Sequence, residues 1–299
     1  MLHLAALLLG QHVLRRGSTA DPIRLCHHIN LEPYGVVVYD DHLGDELHCH
    51  TKSKDELPGE QGLILRRNDV DNALELYWGP KSAIKELPFR IDFTSATAQT
   101  RKRQSKSELV CKAFGNTRRV VDLTAGLGRD SFILAAAGFD VLLIERNPVL
   151  FYLLQDALLR LKAVDEQLGV RLQLAQGDST SLVDTEDILK GFAGAVDPTT
   201  IGVYLDPMYE SNQVGRKASV KKETTMLHRL VRNLSSAPQQ DDEQNNNRGL
   251  FTTAQRIFGS RIVVKRPLKA GALLDLKPHA QITGSTHRFD VYLRTQIIK

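Results

Sequence analysis

Apolar and polar residues alternate in two different ways along this chain, and the change falls near residue 94. Between residues 21 and 93, short apolar runs such as 35–39 and 74–77 are separated by turn residues. Runs of this length bounded by glycine and proline are typical of strands. We therefore predict a small N-terminal, sheet-rich α/β domain over 21–93, with a tail or first helix over 1–20.

From residue 118 onward, apolar strands alternate with helical stretches. The pattern predicts strands over 119–124, 140–145, 171–175, 201–205 and 260–265, and helices over 129–137, 148–163, 181–190 and 217–234. Such alternation favours a doubly wound parallel sheet, whose ligands lie at the carboxyl ends of the strands near the switch point. The large domain would span 118–299, joined to the small one by a basic connecting segment over 94–117. The Gln/Asp/Asn-rich stretch 235–249 is expected to be a disordered surface insert.

Composition narrows the class of protein. The chain has 299 residues, of which 42% are hydrophobic, so it can bury a sizeable core. The apolar run over 4–9 is too short to span a bilayer, and a signal peptide is the lesser alternative to a tail or helix there. The cysteines are widely separated and lack Cys-x-x-Cys spacing: Cys26, Cys49 and Cys111. We therefore expect a cytoplasmic protein without a disulfide framework or a zinc site.

Three histidines close together in the chain are a second possible metal site. Its members lack an acid or a cysteine at suitable spacing: His42, His48 and His50. No metal is predicted there.

The net charge of +4 conceals a strong segregation of charge. Segments 101–119, 215–232 and 256–269 carry +6, +5 and +5, which leaves −12 for the rest of the chain. Three basic blocks on an otherwise acidic protein indicate a surface that binds a polyanion. The alternative is that each block is a solvated helix face.

A glycine turn follows the first strand of the large domain. Gly126 and Gly128 permit positive φ and close approach of backbone to a ligand, and the next helix offers free N–H groups. Glu145 lies at the end of the next strand, where a carboxylate can bind both hydroxyls of a ribose. This arrangement predicts an adenosine-containing cofactor without distinguishing NAD from S-adenosylmethionine. A tight turn without a ligand is the alternative.

Two polar residues follow the third strand. Asp178 and Ser179 are placed where an adenine amino group could bind, although a short polar loop is common at such a position.

The segment Asp206-Pro207-Met208-Tyr209 discriminates best between functions. An exocyclic amine of a nucleobase is a poor nucleophile because its lone pair is delocalised into the ring. The Asp206 carboxylate and the Pro207 carbonyl can accept both N–H bonds and orient that lone pair, while Tyr209 stacks on the base. A base in a duplex must be flipped out of its stack to reach such a pocket. A turn followed by a core aromatic is the alternative.

These residues resemble the RsmJ family of 16S ribosomal RNA guanine-N2 methyltransferases, over about residues 63–292. The matching motifs are Ile91-Asp-Phe93 with Arg101-Lys-Arg103, Asp122-Leu-Thr-Ala-Gly-Leu-Gly-Arg-Asp130, Glu145-Arg-Asn-Pro148, Tyr204-Leu-Asp-Pro-Met-Tyr209, Lys221-Lys-Glu223, Val263-Val-Lys-Arg-Pro267 and His287-Arg-Phe-Asp290. The resemblance implies a Rossmann-like class I methyltransferase sheet, S-adenosylmethionine as cofactor, and 16S rRNA or the 30S subunit as partner.

The resemblance also assigns roles to residues. We expect catalysis by Asp206, Pro207 and Tyr209. The cofactor contacts it implies, with the glycine turn, are Asp122, Gly126, Gly128, Arg129, Asp130, Glu145, Arg146, Asp178, Ser179 and Asp206. RNA or other substrate contacts are expected from Arg101, Lys102, Arg103, Lys221, Lys222, Lys265, Arg266, His287 and Arg288, although several of these could be structural.

Three other functions remain open from the residues. An NAD-dependent oxidoreductase would share the glycine turn and Glu145, but it has no need for the Asp-Pro segment or the basic blocks. A non-catalytic RNA-binding or ribosome assembly factor would keep the basic surface and tolerate loss of Asp206. An adenine-N6 methyltransferase acting on DNA or RNA uses the same Asp-Pro-x-aromatic chemistry.

Overall fold

The computed structural model describes residues 36–39, 63–78, 88–181, 188–189, 191–192, 200–207, 240–257 and 259–294. A small sheet contains β1 (Val36–Tyr39), β2 (Leu63–Arg67) and β3 (Leu74–Trp78) in that order. Strand β2 pairs parallel to β1 and antiparallel to β3. The predicted sheet-rich character of this region is confirmed for these strands.

A seven-stranded sheet forms the larger part of the molecule. Its strands are β4 (Arg119–Asp122), β5 (Asp140–Glu145), β6 (Leu172–Gln176), β7 (Ile201–Leu205), β8 (Arg261–Pro267), β9 (Ala280–Thr283) and β10 (His287–Leu293). They lie in the order β6-β5-β4-β7-β8-β10-β9. Strands β4 to β8 are parallel, as predicted, and the order reverses between β4 and β7.

The sheet is mixed rather than wholly parallel, because β10 runs antiparallel to both β8 and β9. A short turn joins β9 to β10, and a turn of that length can connect only antiparallel neighbours. No strand bounds were predicted beyond 260–265, so this antiparallel edge is an addition to the predicted parallel sheet.

Six α-helices are described: α1 (Ala96–Arg103), α2 (Leu109–Phe114), α3 (Arg129–Ala136), α4 (Pro148–Val164), α5 (Glu166–Gly169) and α6 (Gln240–Ile257). Helix α4 begins at Pro148 because the Asn147 side-chain oxygen accepts hydrogen bonds from the amides of Val149 and Leu150. The predicted helix over 217–234 lies outside the described residues, as does most of that over 181–190.

Neighbouring residues on each strand point to opposite faces of the large sheet, and each face has its own core. Val120 on β4 packs in the core that also contains residues of α2, α3 and α4. Val121 beside it packs with Leu250, Phe251 and Ala254 of α6. Helices thus cover both faces, as a doubly wound sheet requires.

Helix α6 corrects the expectation of a disordered insert over 235–249. Residues 240–249 belong to this helix, whereas 235–239 lie outside the described residues. Leu250, Phe251 and Ala254 form the helix's apolar stripe, and they are buried against the sheet just past the polar run. Composition alone missed the helix because the stabilising contacts begin where the polar segment ends.

The connecting segment over 94–117 is folded. It forms α1, a 3-10 helix over Ser105–Ser107 and α2, whose Val110, Ala113 and Phe114 are buried in the first core. Burial also raises the pKa of the Cys111 thiol to about 12, so this thiol is protonated at neutral pH and serves packing.

The small sheet packs directly on the large domain. Its Leu65, Leu74 and Leu76 belong to the same core as α4. Arg67 forms an ion pair of 3.1 Å with Asp156 of α4, and the Leu74 amide donates to the same carboxylate. Within the described residues, the small sheet therefore shares one core with α4 and one face of the large sheet.

Candidate active site

The predicted site residues meet at the carboxyl edge of the large sheet, at the switch point between β4 and β7. Asp122 ends β4, and Asp206 directly follows β7. The Asp206 amide donates a hydrogen bond of 2.7 Å to the hydroxyl of Thr124, which ties the two strand ends together. Ligands of open α/β sheets bind in the crevice at this position.

The two glycines of the turn serve different purposes. Both have positive φ, +53° at Gly126 and +64° at Gly128. A Cβ on Gly128 would lie 2.8 Å from a methyl group of Leu154, so this glycine is required by packing. Among the described residues, a Cβ on Gly126 would meet only the Thr124 carbonyl, at an ordinary contact distance of 3.7 Å. Gly126 is therefore the glycine that leaves room for a ligand.

Two buried carboxyls support the glycine turn from behind. Asp122 accepts hydrogen bonds from the Thr124 amide at 3.0 Å and from the Ser131 hydroxyl at 2.5 Å. Glu145 accepts from the amides of Gly126 and Asn147, both at 2.8 Å. Burial raises the pKa of each to about 7, against the lowering effect of these donors. Both groups are thus poised to ionise near neutral pH.

The loops after β5 and β6 lie beside α6. Arg146, in the first loop, donates to the side-chain oxygen of Asn246 at 3.0 Å. Asp178, in the second, accepts at one oxygen from the amide and hydroxyl of Thr180, and Ser179 is buried. Gly249 lies against Thr180, where an added Cβ would approach the threonine side chain to 3.1 Å. These contacts were not predicted, because residues 240–249 were expected to be disordered.

Asp206 belongs to a charged network that spans three elements. Lys265, in β8, lies 2.9 Å from Asp206 and 2.8 Å from Asp130 at the start of α3. Asp130 also accepts a hydrogen bond of 2.8 Å from the Tyr204 hydroxyl and pairs with Arg101 at 3.4 Å. The side chain of Asp206 remains 38% exposed, so a ligand can reach it.

The network sets the charges of its members. Burial raises the pKa of Asp206, and the nearby Lys265 ammonium opposes that rise. Burial raises the pKa of Asp130 as well, but Lys265 and Tyr204 outweigh it and hold that pKa below its ordinary value. The two carboxylates in turn raise the pKa of Lys265 despite burial, so the lysine is charged.

Several basic residues predicted to contact RNA also make contacts within the protein. Lys102 pairs with Asp165 at 2.6 Å, and Arg101 pairs with Glu108 and Asp130. Arg266 and Arg288 are buried, and both donate to the carbonyl of Gly271 in the loop after β8.

Arg288 additionally pairs with the fully buried Asp290 at 2.8 Å. The RNA contacts expected of Arg266 and Arg288 stay predictions, although both side chains are buried and hydrogen-bonded within the protein. Arg103 is exposed on α1, and His287 is half-buried at the start of β10.

Of the remaining predicted residues, Arg129 is exposed at the first position of α3, and Pro207 is buried behind Asp206. Three others lie outside the described residues: Tyr209, Lys221 and Lys222. Sequence analysis did not anticipate Thr124 and Tyr204 in the site. Lys265 was predicted as a substrate contact. Its position beside Asp206 could also have been expected, because the strands that carry the two residues end at the same edge of the sheet.

A glycine turn after β4, an acid at the end of β5 and an Asp-Pro segment after β7 define a class I methyltransferase that uses S-adenosylmethionine. The family described as "Putative SAM-dependent methyltransferase" matches residues 56–294. The chain belongs to this family and, within it, to the ribosomal RNA small subunit methyltransferase J family, as the relatives described next show.

Ribosomal RNA small subunit methyltransferase J of Neisseria meningitidis is 36% identical over 244 residues, covering 79% of this chain and 86% of the relative. The protein of that name from Serratia proteamaculans is 39% identical over 209 residues, covering 68% and 77%. The crystal structure of a SAM-dependent methyltransferase from Neisseria gonorrhoeae superposes with a TM-score of 0.57 at 31% identity, covering 81% of this chain and 86% of that one. Family, class and fold predicted from the sequence are thereby confirmed.

The residues present fit S-adenosylmethionine. Among the described residues, the room beside Gly126 admits a ligand close to the backbone. Each Glu145 oxygen already accepts one amide hydrogen bond, and a carboxylate has about four acceptor positions, so it can also accept from both ribose hydroxyls. The acids around the turn suit a ligand with positive charge at its sulfur.

No helix within the described ranges combines the length and apolar character needed to cross a membrane. Likewise, the described part of the chain has no group of three or more His, Cys, Asp or Glu residues arranged to hold a metal ion. The histidines of the sequence cluster, at positions 42, 48 and 50, lie outside that part.

Proposed function

We propose that this protein methylates the exocyclic N2 amine of a guanine in small-subunit ribosomal RNA, using S-adenosylmethionine. The observation that carries the proposal is the partly exposed Asp206 carboxylate beside the open glycine turn. The names of the relatives suggest ribosomal RNA as the substrate. The Asp-Pro segment suggests that the methyl group is transferred to an amine. A ribosomal substrate also implies a cytoplasmic location and the 16S rRNA or the 30S subunit as partner.

S-adenosylmethionine, when bound, supplies an electrophilic methyl group. Asp206 accepts an N–H bond of the guanine amine, and the Pro207 carbonyl accepts the other, which turns the nitrogen lone pair toward the methyl group. As the amine gains positive charge, the Asp206 carboxylate stabilises it electrostatically. The amine proton can then leave to water, so no further base is required.

Access of RNA to this edge is supported by exposed basic side chains on α1 and the following turn. Arg103 and Lys106 are exposed, and neither makes an ion pair with an acid among the described residues. Phosphate contacts of this kind position the nucleic acid without reading its sequence.

The test is methyl transfer from labelled S-adenosylmethionine to small-subunit rRNA and to 30S particles from cells that lack the gene. We expect label in N2-methylguanosine after nucleoside mapping. Asp206→Ala should lower kcat at least about 100-fold, the lower range for loss of a group that positions and activates a reactant. Cofactor affinity measured by calorimetry should fall far less, because Asp206 is one of several residues expected to contact the cofactor.

Asp69→Ala is the matched control, since Asp69 is exposed in the turn between β2 and β3. It should behave like the wild type. Label in N6-methyladenine would redirect the assignment to an adenine methyltransferase. Tight cofactor binding without label in any RNA would overturn the rRNA assignment.

A further inference from the structure

We propose that Lys265 is a positioning residue for Asp206, and that Asp130 and Tyr204 in turn hold Lys265 in place. The lysine binds one oxygen of the Asp206 carboxylate, so the other oxygen is presented to the amine that accepts the methyl group. This inference rests on the proposed function, in which Asp206 accepts a hydrogen bond from that amine.

The geometry around Asp206 leaves little freedom for its carboxylate. Lys265 Nζ lies 2.9 Å from Asp206 Oδ2, and the Asp206 amide is tied to the Thr124 hydroxyl at 2.7 Å. The only side-chain hydrogen bond to Asp206 within the described residues falls on Oδ2. Oδ1 is therefore the oxygen that an incoming amine can use.

Lys265 is itself held from two further elements. Its Nζ lies 2.8 Å from Asp130 Oδ2, and the same oxygen accepts a 2.8 Å hydrogen bond from Tyr204. Tyr204 is 2% exposed in the centre of the sheet, and Asp130 begins α3. A bridge anchored on β7, β8 and α3 can hold a carboxylate rotamer far better than a surface lysine can.

Charge points to the same role. The groups that face Asp206 are Lys265 from β8, Asp130 from α3, Asp122 at the end of β4 and His287 from β10. Two of them are acids that disfavour ionisation of Asp206, and Lys265 is the group that favours it most. A protonated Asp206 would lose acceptor capacity at the oxygen that carries the proton.

The alternative role, contact with an RNA phosphate, agrees less well with the structure. The ammonium group already bridges two carboxylates, at 2.8 and 2.9 Å. A third N–H of the ammonium remains for another acceptor, but two carboxylates already neutralise the lysine charge and so weaken its attraction for a phosphate.

The experiment compares pH–rate profiles for rRNA methylation by the wild type, Lys265→Met, Lys265→Arg and Lys269→Met. Lys269 is an exposed lysine four residues further on, so its variant loses the same charge outside the network. In Lys265→Met, we expect the apparent pKa of the acidic limb of the kcat profile to rise by about one unit or more. At a fixed pH on that limb, kcat then falls by about tenfold. Lys265→Arg should largely restore the profile because it keeps the charge, and Lys269→Met should match the wild type.

Two results would overturn the inference. One is an unchanged acidic limb in Lys265→Met with kcat lowered equally at every pH. The other is a raised KM for RNA and a weaker salt dependence with an unchanged limb, which is the signature of a lost phosphate contact.

Tyr204→Phe provides a second variant if Lys265→Met does not fold, as judged by thermal unfolding. It removes only the hydroxyl that holds Asp130, and the limb should shift in the same direction by a smaller amount. An unchanged limb in Tyr204→Phe would then count against the inference. Absence of methylation by the wild type would instead overturn the proposed function and this inference with it, whereas an active wild type with unshifted variants overturns the inference alone.

Discussion

The two halves of the site hold their carboxylates in opposite ways. On the cofactor side, Asp122 and Glu145 are buried and receive hydrogen bonds from backbone amides and a hydroxyl. Among the described residues neither forms an ion pair with a lysine or arginine, although the charge of Arg146 favours the ionised form of Glu145. On the acceptor side, Asp130 and Asp206 share the Lys265 ammonium. The first arrangement leaves negative charge for a ligand to neutralise, whereas the second is neutralised within the protein.

We propose that this difference separates cofactor binding from catalysis. A carboxylate without a cationic partner gains most when a ligand supplies hydroxyl donors and positive charge. A carboxylate already paired with a lysine gains less from binding and is instead fixed in orientation, which benefits the transition state. We therefore expect substitutions in the first half to change cofactor affinity and those in the second to change turnover.

Among the variants that test this difference between the two halves, Glu145→Gln should have the largest effect, a loss of cofactor affinity. The change keeps size but removes the charge that strengthens hydrogen bonds to ribose hydroxyls, worth about 1.5–3 kcal/mol for bonds to charged groups. Affinity for S-adenosylmethionine should fall by about ten- to a hundredfold in calorimetry, while kcat at saturating cofactor changes far less.

Glu166→Gln is the control for that measurement, because Glu166 is exposed at the start of α5. The separation of the two halves would be refuted by a Glu145→Gln enzyme that binds cofactor normally but has lost turnover.

The next largest effects are expected from alanine substitutions in the glycine turn, where Gly126 and Gly128 serve different purposes. Alanine at either position is strained by positive φ, by about 1–2 kcal/mol. Gly128→Ala also collides with the fully buried Leu154, which adds about 1–3 kcal/mol of overpacking. Denaturant unfolding should therefore show the larger loss of stability for Gly128→Ala, and calorimetry the larger loss of specific cofactor affinity for Gly126→Ala. Equal losses in both measurements would contradict the division of roles.

The smallest expected effect is a pH dependence of cofactor binding. Burial raises the pKa of Glu145 and of Asp122 to about 7, so both carboxyls become protonated as the pH falls below that value. Protonation removes acceptor capacity and negative charge, and affinity should therefore fall by about tenfold from pH 8 to pH 6, as expected for one such group. Calorimetry in buffers of different ionisation enthalpy measures the accompanying proton release.

Glu145→Gln should flatten this pH dependence if Glu145 is the titrating group, and Asp122→Asn should flatten it if Asp122 is. A slope that persists unchanged in both variants would show that neither carboxyl is responsible.

Much of the fold was predictable because each strand is a compact apolar run ended by turn residues. Strands β5 and β7 have the predicted bounds, and α3 and α4 differ from prediction by one residue at an end. The antiparallel edge and α6 were harder to predict. β9 is a largely exposed strand of mixed polarity, and the polar half of α6 is stabilised by the buried stripe that follows it.

The site residues also fall into those that the sequence could predict and those that it could not. Asp122, Gly126, Glu145 and Asp206 were found from the sequence because each stands at a strand end or a glycine turn, where position along the chain implies position at the carboxyl edge. The internal roles of Arg101, Arg266 and Arg288 were not found, since a basic residue has the same appearance in sequence whether its partner is a phosphate or a carbonyl.

The sequence by itself determined the order of strands and helices, the glycine turn and the Asp-Pro segment, because these depend on local periodicity and on residues adjacent in the chain. Only the tertiary structure decided which charges meet. Lys265 and Asp130 are 135 residues apart and Lys265 and Asp206 are 59 apart, yet all three converge within hydrogen-bonding distance. Electrostatic pairing depends on distance in space, and that distance is set by sheet order and register, which no local pattern encodes.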